Sequence, residues 1–263
     1  MALDGPLRVE RDGPILRVTL SRPERRNALD VRLIAELTTA FADVGDARLV
    51  VLAGDGDSFC AGADVEWMRD AAGLSYEENV ADSTRLRRMY EAIDRCAAPV
   101  VAPVQRYVLG GGVGLVCCAD AVVAADDAVF AFSEVKLGIL PAVISPFALA
   151  RIGAGAARRY FVTGERFDAP TALRIGLVHA VVPPAELEAA VERIVAEILT
   201  AGPEATRHAK RLVLDAPLDG LETARRIAER RTSDEGQEGL RAFLAGRTPG
   251  QPGFASWCPE ETM

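Results

Sequence analysis

The glycine-rich segment at residues 109–115 constrains this chain more than any other stretch. Four of the five residues 110–114 are glycines (Gly110, Gly111, Gly112 and Gly114). The apolar segment 99–104 before it predicts a buried strand, and the apolar residues after it predict a helix. Backbone N–H groups at a helix start are unpaired and lie at the positive end of the helix dipole, and glycine lets a ligand approach closely. We therefore expect this turn to hold a negatively charged oxygen.

Bulk composition limits the classes of protein that this chain can represent. With 263 residues, 49% hydrophobic and 26% charged, it is long and apolar enough for one large domain. The net charge of −8 argues against nucleic-acid binding. The sequence contains no apolar stretch of membrane-spanning length and no signal peptide at Met1–Gly5. Two of the five cysteines, Cys117 and Cys118, fall in an apolar helix and are interpreted as core residues, so we expect a reducing cytoplasm.

Apolar periodicity predicts alternating strands and helices as far as residue 132, and mainly helices afterwards. The first part contains a hairpin around Asp12-Gly13 and a helix that Asp30 caps, whose apolar face is Leu33, Ile34, Leu37 and Phe41. A helix is also predicted at 76–96, with Leu86, Met89, Tyr90 and Ile93 on its apolar face. Further strands are predicted at 49–53, 121–125, 129–132 and 178–182, and later helices at 145–152, 156–162, 169–175, 185–200, 203–214 and 235–245. The predicted organisation is an α/β core over 1–200 and a C-terminal helical region over 201–263.

A second candidate ligand site lies in the segment Phe59-Cys60-Ala61-Gly62-Ala63-Asp64. Small residues here precede a predicted helix around 65–68, so backbone N–H groups near Gly62 could also point at a ligand. Asp64 stands at the helix start, where an aspartate is typically an N-cap. The two glycine-containing helix starts, far apart in sequence, are therefore both candidate ligand sites.

The order and spacing of these motifs resemble the crotonase (enoyl-CoA hydratase/isomerase) superfamily. The segments that carry the resemblance are 22–29, 59–64 with Met68, 110–112, Glu134 with Gly138, 163–165, 175–178 and Phe243. The resemblance implies a spiral of repeated ββα units with a C-terminal helical trimerisation region. It also implies a homotrimer or a dimer of trimers acting on an acyl-CoA thioester. Coenzyme A would then be part of the substrate, with no separate cofactor, metal, membrane or nucleic-acid partner.

Matched residue by residue, the resemblance assigns roles within the site. The two backbone N–H groups that stabilise a thioester enolate fall on Ala63 and Gly111, and a catalytic carboxylate falls on Glu134. The implied substrate-binding residues are Arg25, Arg26, Ala28, Ala61, Asp64, Gly110, Gly114, Pro141, Phe243 and Arg247. Arg25 and Arg26 are candidates for the CoA phosphates, or else solvated loop charges. Phe243 would pack by the adenine, and Arg247 would replace a lysine usual in the family.

Gly114 departs from the family pattern, because hydratases of this family usually carry a first catalytic glutamate at this position. Gly114 either permits tight helix packing or makes room for substrate. A single glutamate can hydrate a double bond by acting as base and then as acid, whereas a double-bond shift needs only one base. Residues 132–147 resemble methylglutaconyl-CoA-type hydratases, which act on branched, carboxylated acyl chains. The family commonly has glycines at residues 142–145, so Ala142, Val143 and Ile144 are expected to form an apolar pocket wall. Hydration is therefore the favoured interpretation, with an isomerase and a non-catalytic acyl-CoA-binding protein as alternatives.

Other polar residues are given structural interpretations. His179 and His208 lie outside the motifs and form no triad pattern, and Asp120 ends a helix. The glycine run also fails as a dinucleotide fingerprint, because Leu115 occupies the third glycine position. No Cys/His spacing indicates a metal site.

Overall fold

A computed structural model describes residues 5–247 as two β-sheets wrapped by helices. The strands are β1 (Leu7–Asp12), β2 (Ile15–Leu20), β3 (Leu49–Gly54), β4 (Val100–Val104), β5 (Tyr107–Leu109), β6 (Ala121–Ala125), β7 (Val129–Ala131), β8 (Phe167–Asp168) and β9 (Ala180–Val182). The helices are α1 (Val31–Ala42), α2 (Val65–Ala71), α3 (Tyr76–Asp94), α4 (Gly111–Cys118), α5 (Ser145–Thr163), α6 (Ala169–Arg174), α7 (Leu187–Thr200), α8 (Pro203–Leu214), α9 (Gly220–Thr232) and α10 (Asp234–Leu244).

The larger sheet has the strand order β1-β2-β3-β4-β6-β9 and is parallel except for the β1–β2 hairpin. The smaller sheet has the order β5-β7-β8, with β5 and β7 parallel. Isolated backbone bridges between Leu29 and Ala63 and between Cys60 and Val108 occur beside it. Parallel neighbours require crossover connections, which the helices provide.

Successive segments of the chain contribute one strand to each sheet and then a helix. β4, β5 and α4 form one such unit, and β6, β7 and α5 form the next. The expected repeat of ββα units in a mixed α/β fold is therefore confirmed. Its helical C-terminal region is also present as α8, α9 and α10.

The hydrophobic core lies between the sheets and the helices α1, α3, α4 and α5. α1 buries the four apolar residues of its predicted face, Leu33, Ile34, Leu37 and Phe41, and the Asp30 side chain accepts from the Leu33 N–H as its N-cap. Cys117 and Cys118 are buried in α4 as expected, and burial raises the pKa of Cys117 to about 12. Cys258 lies outside the described residues.

Several element boundaries differ from the sequence prediction. The two helices predicted at 145–152 and 156–162 are confirmed as the two halves of α5, which a non-helical Gly153 with a φ of +69° separates; other elements differ. β5 was not predicted, although it and not β4 leads directly into the glycine turn. α9 was also missed, because its run of charged residues carries little apolar signal, but an Asp219 N-cap begins it.

Contacts across residue 200 tie α8 to the core. Lys210 on α8 makes an ion pair of 2.8 Å with Asp120, which also accepts from the Val100 N–H. Arg207 donates to the Ala47 carbonyl at 3.0 Å. The interpretation of Asp120 as structural is confirmed, while the domain boundary at 200 stays a prediction. Between residues 5 and 247, no helix has both the length and the apolar composition needed to cross a bilayer.

Candidate active site

Ala63 presents an N–H group that its own strand pairing leaves unused. In the parallel bridge between Leu29 and Ala63, the Leu29 N–H donates to the Gly62 carbonyl at 2.7 Å and the Asp64 N–H donates to the Leu29 carbonyl at 2.8 Å. Both bonds use the neighbours of Ala63, so the Ala63 N–H points away from Leu29. Within residues 5–247 it has no hydrogen-bond acceptor.

Asp64 fixes the other side of this segment. Its side chain accepts from the Glu66 N–H at 2.8 Å as the N-cap of α2, and from Arg22 at 2.9 Å. Burial and these bonds act in opposite directions, and the pKa of Asp64 is lowered overall. The expected cap is confirmed, and the carboxylate is committed to the loop rather than to proton transfer.

Gly111 is the first residue of α4 and provides the second N–H group. Gly110 precedes it with φ +47° and ψ −117°, a conformation that glycine adopts readily. The Gly110 N–H donates to the Ala131 carbonyl at 2.8 Å, and the Gly110 carbonyl accepts from Val113 at 2.9 Å. The Gly111 N–H lies in the first turn, where α-helices offer no partner.

The two helix starts meet in space. A Cβ built on Gly62 would lie 3.7 Å from the Gly111 nitrogen, and a Cβ on Gly112 would overlap the Cys60 carbonyl oxygen. Ala63 and Gly111 are both partly exposed, whereas Gly62 and Gly112 are buried. The two N–H groups thus belong to adjacent, partly exposed backbone segments.

Glu134 lies beside this pair of donors. It begins a short 3₁₀ turn, Glu134–Leu137, and its Oε1 is 3.5 Å from where a Cβ on Gly110 would stand. Its Oε2 is buried and has no hydrogen-bond partner among residues 5–247. Burial raises the pKa of Glu134, since desolvation disfavours the charged form. A carboxyl group with a raised pKa is a stronger base when ionised and is suited to passing a proton in both directions.

Side chains fill the space beside Gly114. A Cβ at this position would lie 2.6 Å from Ile144 Cγ2 and 2.8 Å from two ring atoms of Tyr90. The packing interpretation of Gly114 is therefore favoured over room for substrate, and a glutamate cannot enter without rearrangement. Tyr90 was predicted only as a core residue, because helical periodicity shows which face is buried and not what it contacts.

The loop at residues 22–28 is hydrogen-bonded to the segment that contains Ala63. The Ala61 N–H donates to the Arg26 carbonyl at 2.9 Å, and Ala28 is buried next to Leu29. Arg25 is exposed and pairs with Glu66 at 3.2 Å, and the Arg26 guanidinium stacks 5.1 Å from the centre of the Tyr107 ring. The structure thus brings both arginines to the rim of the site.

Residues after Glu134 form an apolar groove along α3. Pro141 is buried, and Ala142 and Val143 line a groove of about 490 Å³. The opposite wall is formed by Tyr76, Asn79, Val80, Ser83, Thr84 and Arg87. This agrees with the expected apolar wall at residues 142–144.

Phe243 and Arg247 are not brought to the two N–H donors within one chain. They lie at and beyond the end of α10, which packs against α8 and α9. Phe243 is 56% exposed, and Arg247 makes an ion pair of 2.7 Å with Glu238.

His179, which is interpreted from the sequence as structural, is held by backbone and burial. The His179 Nδ1 accepts from the Val122 N–H at 2.9 Å, and burial lowers the pKa of this imidazole. In the part of the chain that the structure describes, no three His, Cys, Asp or Glu side chains cluster so as to hold a metal ion.

The sequence and the fold both match known proteins. A family model described as enoyl-CoA hydratase/isomerase matches residues 10–250. The chain is 33% identical over 250 residues to a crotonyl-CoA hydratase from Syntrophomonas wolfei, with 91% of this chain and 95% of the relative covered. The crystal structure of an enoyl-CoA hydratase from Shewanella pealeana superposes with a TM-score of 0.88 at 36% identity and coverage of 94% and 96%. The Pseudomonas aeruginosa protein AtuE gives a TM-score of 0.89 at 37% identity, covering 93% of this chain and 98% of AtuE. Because the family model spans most of the sequence and these relatives share its fold, the chain belongs to the enoyl-CoA hydratase/isomerase family of the crotonase superfamily.

Proposed function

We propose that this protein hydrates a 2-enoyl-CoA thioester. The observation that carries the proposal is the convergence of the Ala63 and Gly111 N–H groups next to the unpartnered, buried Oε2 of Glu134. Two preorganised donors can bind the oxygen on which negative charge develops, and one such donor contributes about 3 kcal/mol to transition-state stabilisation. The hydratase names of its relatives support the same reaction.

In the proposed reaction, Glu134 acts first as a base and then as an acid. Its carboxylate removes a proton from water while the water oxygen bonds to C3 of the substrate. The electron pair of the C2=C3 bond moves toward the thioester oxygen, which Ala63 and Gly111 bind. Protonated Glu134 then donates its proton to C2 and the thioester carbonyl forms again. The elements of water are added across the double bond, and Glu134 returns to its ionised form.

We propose a branched or carboxylated acyl group for this substrate. Support comes from the apolar groove at Ala142 and Val143 and from Arg87, a cation on its wall. The Arg87 Nε is held by Glu91 at 2.8 Å, and its guanidinium lies 5.1 Å from the centre of the Phe147 ring. No acceptor among residues 5–247 binds the two terminal nitrogens of Arg87, so they can bind a carboxylate as a fork.

Exposed apolar side chains on the C-terminal helices support assembly into a trimer or a dimer of trimers. Leu221, Ile227 and Leu240 are each about half or more exposed. Large apolar side chains left exposed on this helical region are the kind that a subunit interface would cover. Phe243 and Arg247 would reach a CoA adenine only if a neighbouring subunit brought α10 to the site. Light scattering coupled to size-exclusion chromatography measures the assembly, and a monomer would contradict it.

The direct test compares wild type with Glu134→Gln on a panel of enoyl-CoA thioesters. We expect wild type to consume the conjugated enoyl absorbance and form 3-hydroxyacyl-CoA, and Glu134→Gln to lose at least about a hundredfold in kcat. Glu36→Gln, on α1 in an ion pair with Arg32, is the matched control. Unchanged turnover in Glu134→Gln would remove Glu134 from the mechanism.

A double-bond isomerase is the second candidate, and Gly114, which stands where hydratases of the family usually carry a second catalytic carboxylate beside Glu134, favours it. One base suffices to move a proton between C4 and C2. In D₂O, deuterium entering C4 without net hydration would establish isomerisation. Thioester binding without turnover on any panel member would instead indicate an acyl-CoA-binding protein.

A further inference from the structure

Tyr90 on α3 contacts the glycine-rich start of α4 at two successive turns. Its hydroxyl donates to the Gly111 carbonyl oxygen at 2.9 Å, and two of its ring atoms lie 2.8 Å from where a Cβ on Gly114 would stand. The Tyr90 side chain is fully buried. A buried tyrosine hydroxyl requires a hydrogen-bond partner, and here that partner belongs to the residue that supplies an oxyanion donor.

The turn at residues 110–112 has no side chains of its own to hold it. The direction of the Gly111 N–H depends on backbone rotation at glycines, which resist rotation least. A Cβ on Gly111 would lie 2.9 Å from Leu29 Cδ1 and 3.0 Å from the Tyr90 hydroxyl. Gly111 is therefore clamped between these two side chains. Packing by Leu29 and Tyr90 therefore supplies the restraint on the Gly111 backbone that a glycine has no side chain to provide.

Leu29 connects this clamp to the other donor. Its side chain touches Gly111, while its backbone holds Gly62 and Asp64 on either side of Ala63. The distance between the two N–H groups is thus fixed through Leu29 on one side, and Gly111 is held by Tyr90 on the other.

We propose that Tyr90 is a positioning residue of the oxyanion hole: its hydroxyl anchors the carbonyl side of Gly111, while the Val113 N–H holds the Gly110 carbonyl, which shares a peptide unit with the Gly111 N–H, and together they keep that N–H aimed at the developing enolate oxygen. This inference rests on the proposed function and deepens it by naming what holds the hole in place. Tyr90 takes no part in proton transfer, because its hydroxyl is committed to the Gly111 carbonyl. Burial raises the pKa of Tyr90 well above its ordinary value, so the hydroxyl remains a donor at neutral pH.

The test is Tyr90→Phe, which removes the hydroxyl and keeps the ring against Gly114. We expect kcat to fall about tenfold with KM changed less than about twofold, as for an interaction that acts mainly in the transition state. A second readout uses the chromophoric ester 4-(N,N-dimethylamino)cinnamoyl-CoA, whose absorption moves to longer wavelength when its carbonyl is polarised. We expect a smaller shift in Tyr90→Phe than in wild type. Tyr160→Phe, at another buried tyrosine, is the matched control and should change neither.

The outcomes separate this inference from the proposed reaction. An equal absorption shift and equal kcat in Tyr90→Phe and wild type would overturn the positioning role. If wild type hydrates nothing yet shifts the absorption of the bound ester, the reaction is wrong but the shift still tests Tyr90. Should Tyr90→Phe fail to fold, 3-fluorotyrosine at position 90 keeps the ring and makes the hydroxyl a stronger donor. A larger absorption shift would then support the inference, and an unchanged one would overturn it.

Discussion

Gly62 and Gly111 approach so closely that a Cβ on Gly62 would lie 3.7 Å from the Gly111 nitrogen. The same Cβ would lie 2.9 Å from the Leu109 carbonyl oxygen, and Gly62 has a φ of +97°. Both conditions require glycine. This approach brings the segment that carries the Ala63 N–H next to the Gly111 N–H, so two distant helix starts can serve the one oxyanion site proposed above.

The raised pKa of Glu134 predicts the pH dependence of activity. As the initial base, Glu134 must be ionised, so kcat/KM should fall as the pH drops through a pKa above the ordinary glutamate value of about 4.3. A crotonyl-pantetheine substrate, which lacks the titrating phosphates of CoA, isolates this group. An acidic limb at the ordinary glutamate pKa would contradict the desolvated environment of Glu134.

The same pKa shift predicts a stability effect of Glu134→Gln. The folded state binds the Glu134 proton more tightly than the unfolded state, so this contribution to stability is fully present below the unfolded pKa of about 4.3 and is lost as the pH rises through the folded pKa. We therefore expect Glu134→Gln to be more stable than wild type at pH 7 but not below about pH 4. Urea denaturation at both pH values measures this, and a less stable variant at pH 7 would refute it.

Gly114→Ala should destabilise the fold. The new methyl group would lie 2.6 Å from Ile144 and 2.8 Å from the Tyr90 ring, and overpacking of this kind costs roughly 1–3 kcal/mol. Gly155→Ala on α5 is the control, because nothing lies within 4 Å of its Cβ position. Urea denaturation compares the two variants. Equal stability of Gly114→Ala and wild type would show that Ile144 and Tyr90 can move aside at little cost in free energy.

Arg25 and Arg26 should contribute to binding of the CoA phosphates. The double variant Arg25→Gln/Arg26→Gln is expected to raise KM for crotonyl-CoA about threefold to tenfold, since exposed charge pairs contribute up to about 1 kcal/mol each. KM for crotonyl-pantetheine should not change. Arg32→Gln, on the outer side of α1, controls for the loss of a positive charge. An equal rise in KM for both substrates would indicate a structural role for the loop instead.

Arg87 should select for carboxylated acyl groups. Arg87→Met is expected to lower kcat/KM for 3-methylglutaconyl-CoA about tenfold relative to crotonyl-CoA, which is about 1.4 kcal/mol. Glu91→Gln removes the carboxylate that competes for the Arg87 Nε, so it should shift the ratio in the opposite direction. Arg88→Met, at an exposed neighbour on the same helix, is the matched control. An equal fall in kcat/KM for both substrates would mean that Arg87 does not recognise the acyl carboxylate and only forms its ion pair with Glu91.

The sequence determined much of the fold and, through the family resemblance, the assignment of the two proposed N–H donors to Ala63 and Gly111. The glycines at 62 and 110–112 could be interpreted alone, because a positive φ or a close backbone approach admits few other residues. The caps at Asp30 and Asp64 and the buried face of α1 were likewise predicted, since capping and helical periodicity are local properties. The family resemblance then supplied the position of Glu134.

Only the tertiary structure decided what surrounds these groups. Tyr90 was predicted as an ordinary core residue of α3, yet its hydroxyl binds Gly111. Gly114 was open to two interpretations until Ile144 and Tyr90 were found to fill its side-chain space. Apolar periodicity identifies which face of a helix is buried, whereas the partner across that face comes from a distant part of the chain. The glycines therefore specify where the two helix starts of the proposed oxyanion site come together, and packing from α3 and the segment before α5 surrounds the glycine turn.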